Sequence, residues 1–581
     1  MPDRPQDQRT DLPSFDVLLD GSPLAEQYPV LSIVVSSQIN KLPTARLTLS
    51  DGDVSKNEFP LSSSKLVIPG VKIEIKAGYH DDNVSIFKGV IVNHRLTVKG
   101  ANQSMLRLEA KPEYHSLAIG RKNALFEDVT DSDVMDEILS KSAGDHSVEA
   151  TELTHPFMVQ NQVTDWHFVL NRAAVNSQLV MPQLDGVNVG VPVIDDSAAY
   201  ELEYGSTVLD FDLAIESRFQ LGGAFAKRWS HVDQEVTEAE GDLPGTAANG
   251  NLKSADLTTA DDPVLINHAA EDDAELQTWA DSLLLHSELS RIQGNISGPG
   301  YAGVFPGKTI SLVGVNDRFN GTAFVSGVRH ELSKGNWVTD FQVGLDSEFL
   351  HDMLGDTVSS GSTAGHQNQV MPGISNLYTG KVMSLEDDDG EDRVQVHVPG
   401  LHPDSSGTWC RRMAPDAGDG RGLVFRPEID DEVVVGFIHG DPRYGIMLGM
   451  VHSSALPSPI EAADDNHIKG FVSRSEMKLT FDDENSIVTL ETPAGHTLTL
   501  DDDEGAVSIK DSNDNTLVMD KDGIVLESAG DFSITAQGNV TVEGTDVTLN
   551  AQGSFGAEAG SAAELKCSGQ TTIEGAIVAI N

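Results

Sequence analysis

The chain has 581 residues, with 39 Lys or Arg against 90 Asp or Glu and a net charge of -51. That excess of carboxylates excludes a nucleic-acid binder, which must neutralise phosphates with Lys and Arg, and 39% hydrophobic residues exclude a disordered acidic segment. Fifty-three Gly, 25 Pro and only 6% aromatic residues favour short strands and turns, in roughly three to five domains.

From Phe15 to about Tyr114, period-2 alternation predicts strands at Phe15–Leu19, Leu31–Val35, Ala45–Leu49, Val71–Ile75 and Phe87–Val98, as in a barrel or sandwich. The pattern then changes to helix. Thr130-Asp131-Ser132-Asp133 caps an amphipathic run carrying Val134, Met135, Ile138 and Leu139, and Thr164-Asp165 opens a second with Trp166, Phe168 and Val169. A third helix is expected over Asp272–Ser290, stopped by Gly294, Gly298, Pro299 and Gly300. Glu235–Asp262, polar and rich in Gly, Ala and Asp, is expected to be a long mobile loop.

Strands resume at Lys308–Val315, Gly321–Val328 and Trp337–Leu345. Thr357–Gln369 has linker composition. Strand-like runs follow at Tyr378–Met383, Arg393–Val398, Gly422–Phe425, Glu432–Ile438 and Gly445–Met450, which suit a small closed barrel such as the OB-fold. Pro457–Asp465 is a second linker.

The last 110 or so residues carry a short repeat. Apolar or small residues recur as i, i+2 pairs: Val488/Leu490, Leu498/Leu500, Val507/Ile509, Thr516/Val518, Ile524/Leu526, Phe532/Ile534, Val540/Val542, Val547/Leu549, Phe555/Ala557, Ala563/Leu565 and Thr571/Ile573. Each such strand buries about two side chains, too few to offset an ordering cost of about 1–2 kcal/mol per residue, so the repeats must stack. A single-chain solenoid and an intertwined trimer both satisfy this requirement. The solenoid uses about twenty residues per coil, so a step near eight fits a trimeric prism better. The recurring Gly530, Gly538, Gly544, Gly553, Gly560, Gly569 and Gly575 are expected at corners with positive φ.

The signature Gly418-Asp419-Gly420-Arg421-Gly422, Phe425-Arg426-Pro427, Asp430-Asp431-Glu432-Val433-Val434-Val435-Gly436-Phe437, Gly440-Asp441-Pro442-Arg443-Tyr444 and Gly449 resembles the OB domain of VgrG-type spike proteins. These are relatives of the hub and cell-puncturing spike of contractile phage tails. Upstream, Thr164-Asp165-Trp166-His167-Phe168 with Arg172-Ala173, and Gly307 with Arg318-Phe319-Asn320-Gly321, Val325 and His330, are similar to the hub-like domain of the same family.

The resemblance implies a mainly β chain. It would comprise a phage hub-like region over 1–356 (two barrel subdomains with a few helices, about 11–115 and 116–356), a linker at 357–370 and an OB-fold at 371–456. A linker at 457–466 and a trimeric β-helix or prism over 467–581 would follow. It further implies a homotrimeric spike of an injection machine that seats an inner-tube (Hcp-like) protein, meets baseplate proteins, bears a PAAR-type tip protein and effector cargo, and contacts the target envelope transiently. The structural residues would be Gly422, Pro427, Asp431, Glu432, Val433, Gly436, Phe437, Gly440, Asp441, Pro442 and Gly449. The spike core would be Val507, Ile509, Ile524, Leu526, Phe532, Ile534, Val540, Val542, Val547, Leu549, Phe555, Leu565 and Ile573. An alternative is a phage or prophage tail protein whose β-helix binds or depolymerises polysaccharide, against which the repeat offers few aromatic residues.

No catalytic, cofactor or metal residue is assigned. GxSxG, HExxH and P-loop motifs are absent. His397 and His402 read as surface histidines, and the acidic runs Glu386–Asp389 and Asp501–Glu504 lack EF-hand spacing. Trp409 is expected to pack, and Arg411-Arg412 to contact other subunits or the tube. Cys410 and Cys567 offer no CxxC pair and read as ordinary thiols. Residues 1–20 have no apolar h-region and no apolar run approaches about 18 residues, so the chain is expected to be made in the cytoplasm without an export signal and delivered within a particle.

Overall fold

The computed structural model describes the chain except residues 1, 6–9, 101–102, 143, 195–196, 243–248, 259–261, 267–272, 347–375, 402–406 and 581. The linker expected at 357–370 and His402 therefore lie outside the described residues. Two compact units result, Met1–Leu456 and Pro457–Asn581. Among the described residues, no helix is long and apolar enough to cross a membrane.

In the first unit, a thirteen-stranded sheet carries the expected strands. Pro13–Leu19, Val30–Gln38, Thr44–Ser50, Lys72–Tyr79, Asp82–Lys99 and Gln103–Lys111 form one half. Asp210–Ile215, Ile292–Pro299, Gly321–Ser333 and Asn336–Val343 form the other. No break separates the halves, because Val328 pairs with Ser37 and His330 with Val35 in antiparallel register. Alternation along each strand supplies two separate apolar cores. One is built around Ile33, Leu47, Leu49, Ile75 and Leu108, and the other around Leu202, Ile296, Ile310, Val325 and Phe341.

Three helices attach to these sheets: α1 (Asp131–Ser140), α2 (Asp165–Val175) and α3 (Asp273–Leu289). The Thr130 hydroxyl accepts from the Asp133 amide while the Asp133 carboxylate accepts from the Thr130 amide, satisfying two free donors of α1 at once. α3 packs Leu276, Trp279, Ala280 and Leu283 against Ala224, Ala226 and Ala239 of a small sheet.

That small sheet corrects the expected loop over 235–262. Glu235–Glu240 is a strand paired with Phe225–Ser230, and Ser254–Leu257 forms one helical turn. The predicted helix stop is also different, since Gly294, Gly298 and Pro299 lie inside the strand Ile292–Pro299. A Cβ at Gly294 would stand 2.0 Å from the Asp212 carbonyl oxygen, so glycine permits close strand approach there.

A closed five-stranded barrel follows, made of Tyr378–Ser384, Arg393–His397, Thr408–Arg412, Gly445–Met450 and Glu432–Phe437. Closure leaves this sheet no edge. Val382, Val394, Val396, Cys410, Val433, Val435 and Met447 fill it. The strand expected over Gly422–Phe425 is absent beyond a two-residue pairing of Arg421–Gly422 with Ala417–Gly418. Leu423, Val424 and Phe425 are exposed.

The second unit opens with a seven-stranded antiparallel meander: Ile468–Val472, Lys478–Asp482, Ile487–Glu491, Thr497–Asp501, Ala506–Lys510, Thr516–Asp520 and Gly523–Glu527. Among the described residues beyond Glu527 there is neither a strand nor a backbone–backbone hydrogen bond.

Candidate assembly interface

Within the meander, register places one apolar stripe on one face. Leu490 lies opposite Leu498 and Val488 opposite Leu500; Leu498 and Leu500 in turn face Ile509 and Val507. Val507 and Ile509 then face Met519 and Leu517, which face Ile524 and Leu526. The pair Thr516/Val518 is thereby corrected: Val518 aligns with Ser508, and the stripe continues through Leu517 and Met519. One residue of phase exchanges the two faces of a strand.

Many of these side chains are exposed in the chain by itself, Ile509 at 46% and Ile524 at 72%. Phe532, Ile534, Val540, Val542, Val547, Leu549, Phe555, Leu565 and Ile573 are exposed as well, so none of them belongs to a core formed by one chain. The glycines of the repeat differ from expectation too. Gly530, Gly538, Gly544, Gly553, Gly560, Gly569 and Gly575 do not adopt positive φ, and a Cβ at Gly530, Gly538, Gly553 or Gly560 would meet nothing. A large exposed apolar surface is the physical signature of a site that another chain covers.

The barrel signature does two kinds of work. Val433 is core, Phe437 meets Tyr378 edge to face, and Gly436 and Glu432 belong to the same strand. Asp431 accepts from the Glu428 amide, Pro427 is buried, and the Pro442 carbonyl accepts from Thr408. Gly422 ends the small hairpin, Gly440 turns with φ 71°, and a Cβ at Gly449 would meet nothing.

Asp441 instead joins a buried polar network that extends well beyond the barrel. Its carboxylate meets the Arg443 guanidinium at 2.8 Å, and the same guanidinium reaches Glu275 of α3 at 2.8 Å. Arg443 Nη1 donates to Nδ1 of His155 at 3.1 Å, and His155 Nε2 lies 3.3 Å from Asp131 Oδ2. Asp131, the first residue of α1, also pairs with Arg172 of α2 and accepts from Asn176 at 2.7 Å. With Arg443 donating to Nδ1, the Nε2 side of the His155 ring faces Asp131, so the ring links a guanidinium to a carboxylate. Burial alone would raise the Asp131 carboxyl, but Arg172 and the hydrogen bonds from His155 and Arg172 hold it well below the usual carboxylate range.

The expected outward contact of Arg412 is corrected, because Arg412 pairs with Asp392 at 3.0 Å, as Arg426 does at 2.6 Å. The single Asp392 carboxylate thus bridges two guanidinium groups. Trp409 packs under the Arg393 guanidinium, 5.6 Å from the ring centre. In the acidic run, Asp387 is bound by Arg393 at 2.6 Å, and Asp501 accepts the Glu504 amide at 2.9 Å. Burial pushes the Cys410 thiol up to about 12; Cys567 is exposed and both are free.

Comparison with known proteins agrees with this architecture. Residues 378–452 match the type VI secretion system/phage-baseplate injector OB domain, and residues 487–555 the phage baseplate V C-terminal trimerisation domain. A type VI secretion system spike protein of Pseudomonas aeruginosa, VgrG4b, is 38% identical over 74 residues, which is 12% of this chain and 9% of that protein. The chain thus matches under a tenth of the length of this relative. A chain of the Francisella PdpA–VgrG complex superposes with a TM-score of 0.51 at 10% identity, covering 89% of this chain and 81% of that one. An E. coli type VI secretion component, described as similar to the T4 tail proteins gp27 and gp5, gives 0.44 at 12% identity over 75% and 99%.

Barrel, meander and signature residues together define a VgrG-type spike protein, a baseplate-hub class of phage tail-like and type VI secretion-like machines. Residues 9–334 match the Alg8 N-terminal domain, and since that match spans more than half of the chain, the chain belongs to the Alg8 N-terminal domain family.

Proposed function

We propose that the chain is the homotrimeric central spike of a contractile injection machine. Its hub seats the inner tube, and its C-terminal repeat forms a three-chain needle that carries a tip protein and cargo through a target envelope. The role is mechanical and not enzymatic. Assembly takes place in the cytoplasm, and delivery occurs on contraction.

The observation that carries this reading is the second unit itself. Its apolar stripe runs strand to strand on one face, and among the described residues after Glu527 there is no backbone–backbone hydrogen bond within the chain. Three copies related by a threefold axis would bury the stripe and pair the backbone, which removes the exposed edges. The match to a trimerisation domain over 487–555 supports the same stoichiometry. Sedimentation equilibrium or native mass measurement of the full chain is expected to give three copies, stable to dilution. A monomer would overturn the proposal.

A further inference from the structure

We infer that a cluster of arginines on the N-terminal half of the large sheet is a docking surface for an acidic polypeptide segment of a partner protein. Arg95 of Asp82–Lys99 lies directly opposite Arg107 of Gln103–Lys111, and Arg107 lies opposite Thr48 on its other side. Two residues along the same face, Arg46 is opposite Glu109, with Nε and Oε2 3.4 Å apart. These side chains, with Ser32 and Asn93, line an open groove of about 510 Å³.

Like charges placed directly opposite in an antiparallel pair destabilise it. The chain has 90 carboxylates available, yet among the described residues neither Arg95 nor Arg107 has an ion-pair or hydrogen-bond partner. Several other arginines are paired: Arg329 with Glu331 and Asp340, Arg393 with Asp387 and Asp389, and Arg412 and Arg426 with Asp392. Arg95 and Arg107 are therefore two exposed guanidinium forks held side by side, with hydroxyl and amide groups around them. Such a fork binds a carboxylate through two parallel hydrogen bonds.

The overall charge selects the size of the anion. A field of -51 repels an extended polyphosphate or an anionic bilayer across its whole length or area, whereas a short Asp/Glu segment meets mainly the local positive groove. This inference does not depend on the trimer, and its test reads binding in whatever oligomer the full chain forms.

The probe is a short fluorescent Glu/Ser peptide, titrated into the full-length protein at low and at physiological salt. Expected are saturable binding that weakens with salt, a loss of at least about tenfold in R95Q/R107Q, since one lost charge pair of this kind is worth about a factor of ten, and no change in K99Q. As a second readout, R107Q should raise the unfolding temperature, because it relieves the opposed charges; an arginine with a purely structural role would lower it. Absence of peptide binding, binding unaffected by R95Q/R107Q, a lower unfolding temperature in R107Q, or preferential binding to anionic phospholipid vesicles or a single-stranded oligonucleotide would each overturn the inference.

Discussion

Nη2 of Arg443, in the barrel, stands 2.8 Å from Oε1 of Glu275 on α3, and both side chains are almost completely buried. Two segments 168 residues apart in sequence are thus tied by a full charge pair inside the protein.

Removing one partner of a buried pair strands the other. Glu275→Gln and Arg443→Met are each expected to destabilise the first unit by about 3–5 kcal/mol, and the double replacement by less than their sum. Denaturant unfolding of the four proteins measures the coupling. Additive losses would show that the contact contributes nothing of its own.

Acid should weaken the hub in a defined window. Burial holds His286 and His330 at about 4, below their ordinary 6.5. Between those values the unfolded chain binds protons that the folded chain does not. Their contribution is complete above about pH 6.5 and falls as pH drops toward 4, with a slope of at most about 1.4 kcal/mol per pH unit for each histidine. Trp337, whose ring centre lies 6.1 Å from that of His330, reports the transition by fluorescence. A chain with both histidines replaced by Gln should show a flatter pH profile, and an unchanged profile would count against the histidines.

Charge placed on the stripe should disperse the copies. Ile509→Asp with Leu526→Asp is expected to lower the mass in solution from three chains to one while leaving the barrel intact by limited proteolysis. Val518→Asp, on the opposite face by register, is expected to retain the trimer.

The barrel interior offers a packing test. A Cβ at Gly445 would stand 2.4 Å from Sγ of Cys410, so Gly445→Ala should cost about 1–3 kcal/mol through overpacking. Cys410→Ala in the same chain should recover part of that loss. Thermal unfolding of the two single variants and the double variant decides it.

Periodicity made most strands legible, because alternation in segments such as Ala45–Leu49 or Val433–Val435 reflects one buried face. Glu235–Glu240 escaped since its only buried side chain is Ala239, and a strand with every core position but one polar or exposed looks like a loop. Thr516/Val518 was misassigned because either phase of Thr-Leu-Val-Met-Asp supplies an i, i+2 pair, and only pairing with Ala506–Lys510 selects Leu517 and Met519. Asp131, Arg172, Asp441 and Arg443 were visible as cap or signature residues. Their convergence with His155 and Glu275 was not, since six residues dispersed along the chain meet only through tertiary packing.

In the proposed trimer, the segment beyond Glu527, which among the described residues has no backbone–backbone hydrogen bond of its own, also sets a kinetic property. Residues that find hydrogen-bond partners only on other chains cannot be ordered by a first-order step, so their ordering rate depends on how often chains meet. Diluting the chains tenfold should slow that step by about tenfold or more, while the barrel and hub, whose contacts lie within one chain, fold at an unchanged rate. Chains emerging from neighbouring ribosomes on one message would meet at high local concentration, which would favour completion of the proposed trimer close to the site of synthesis.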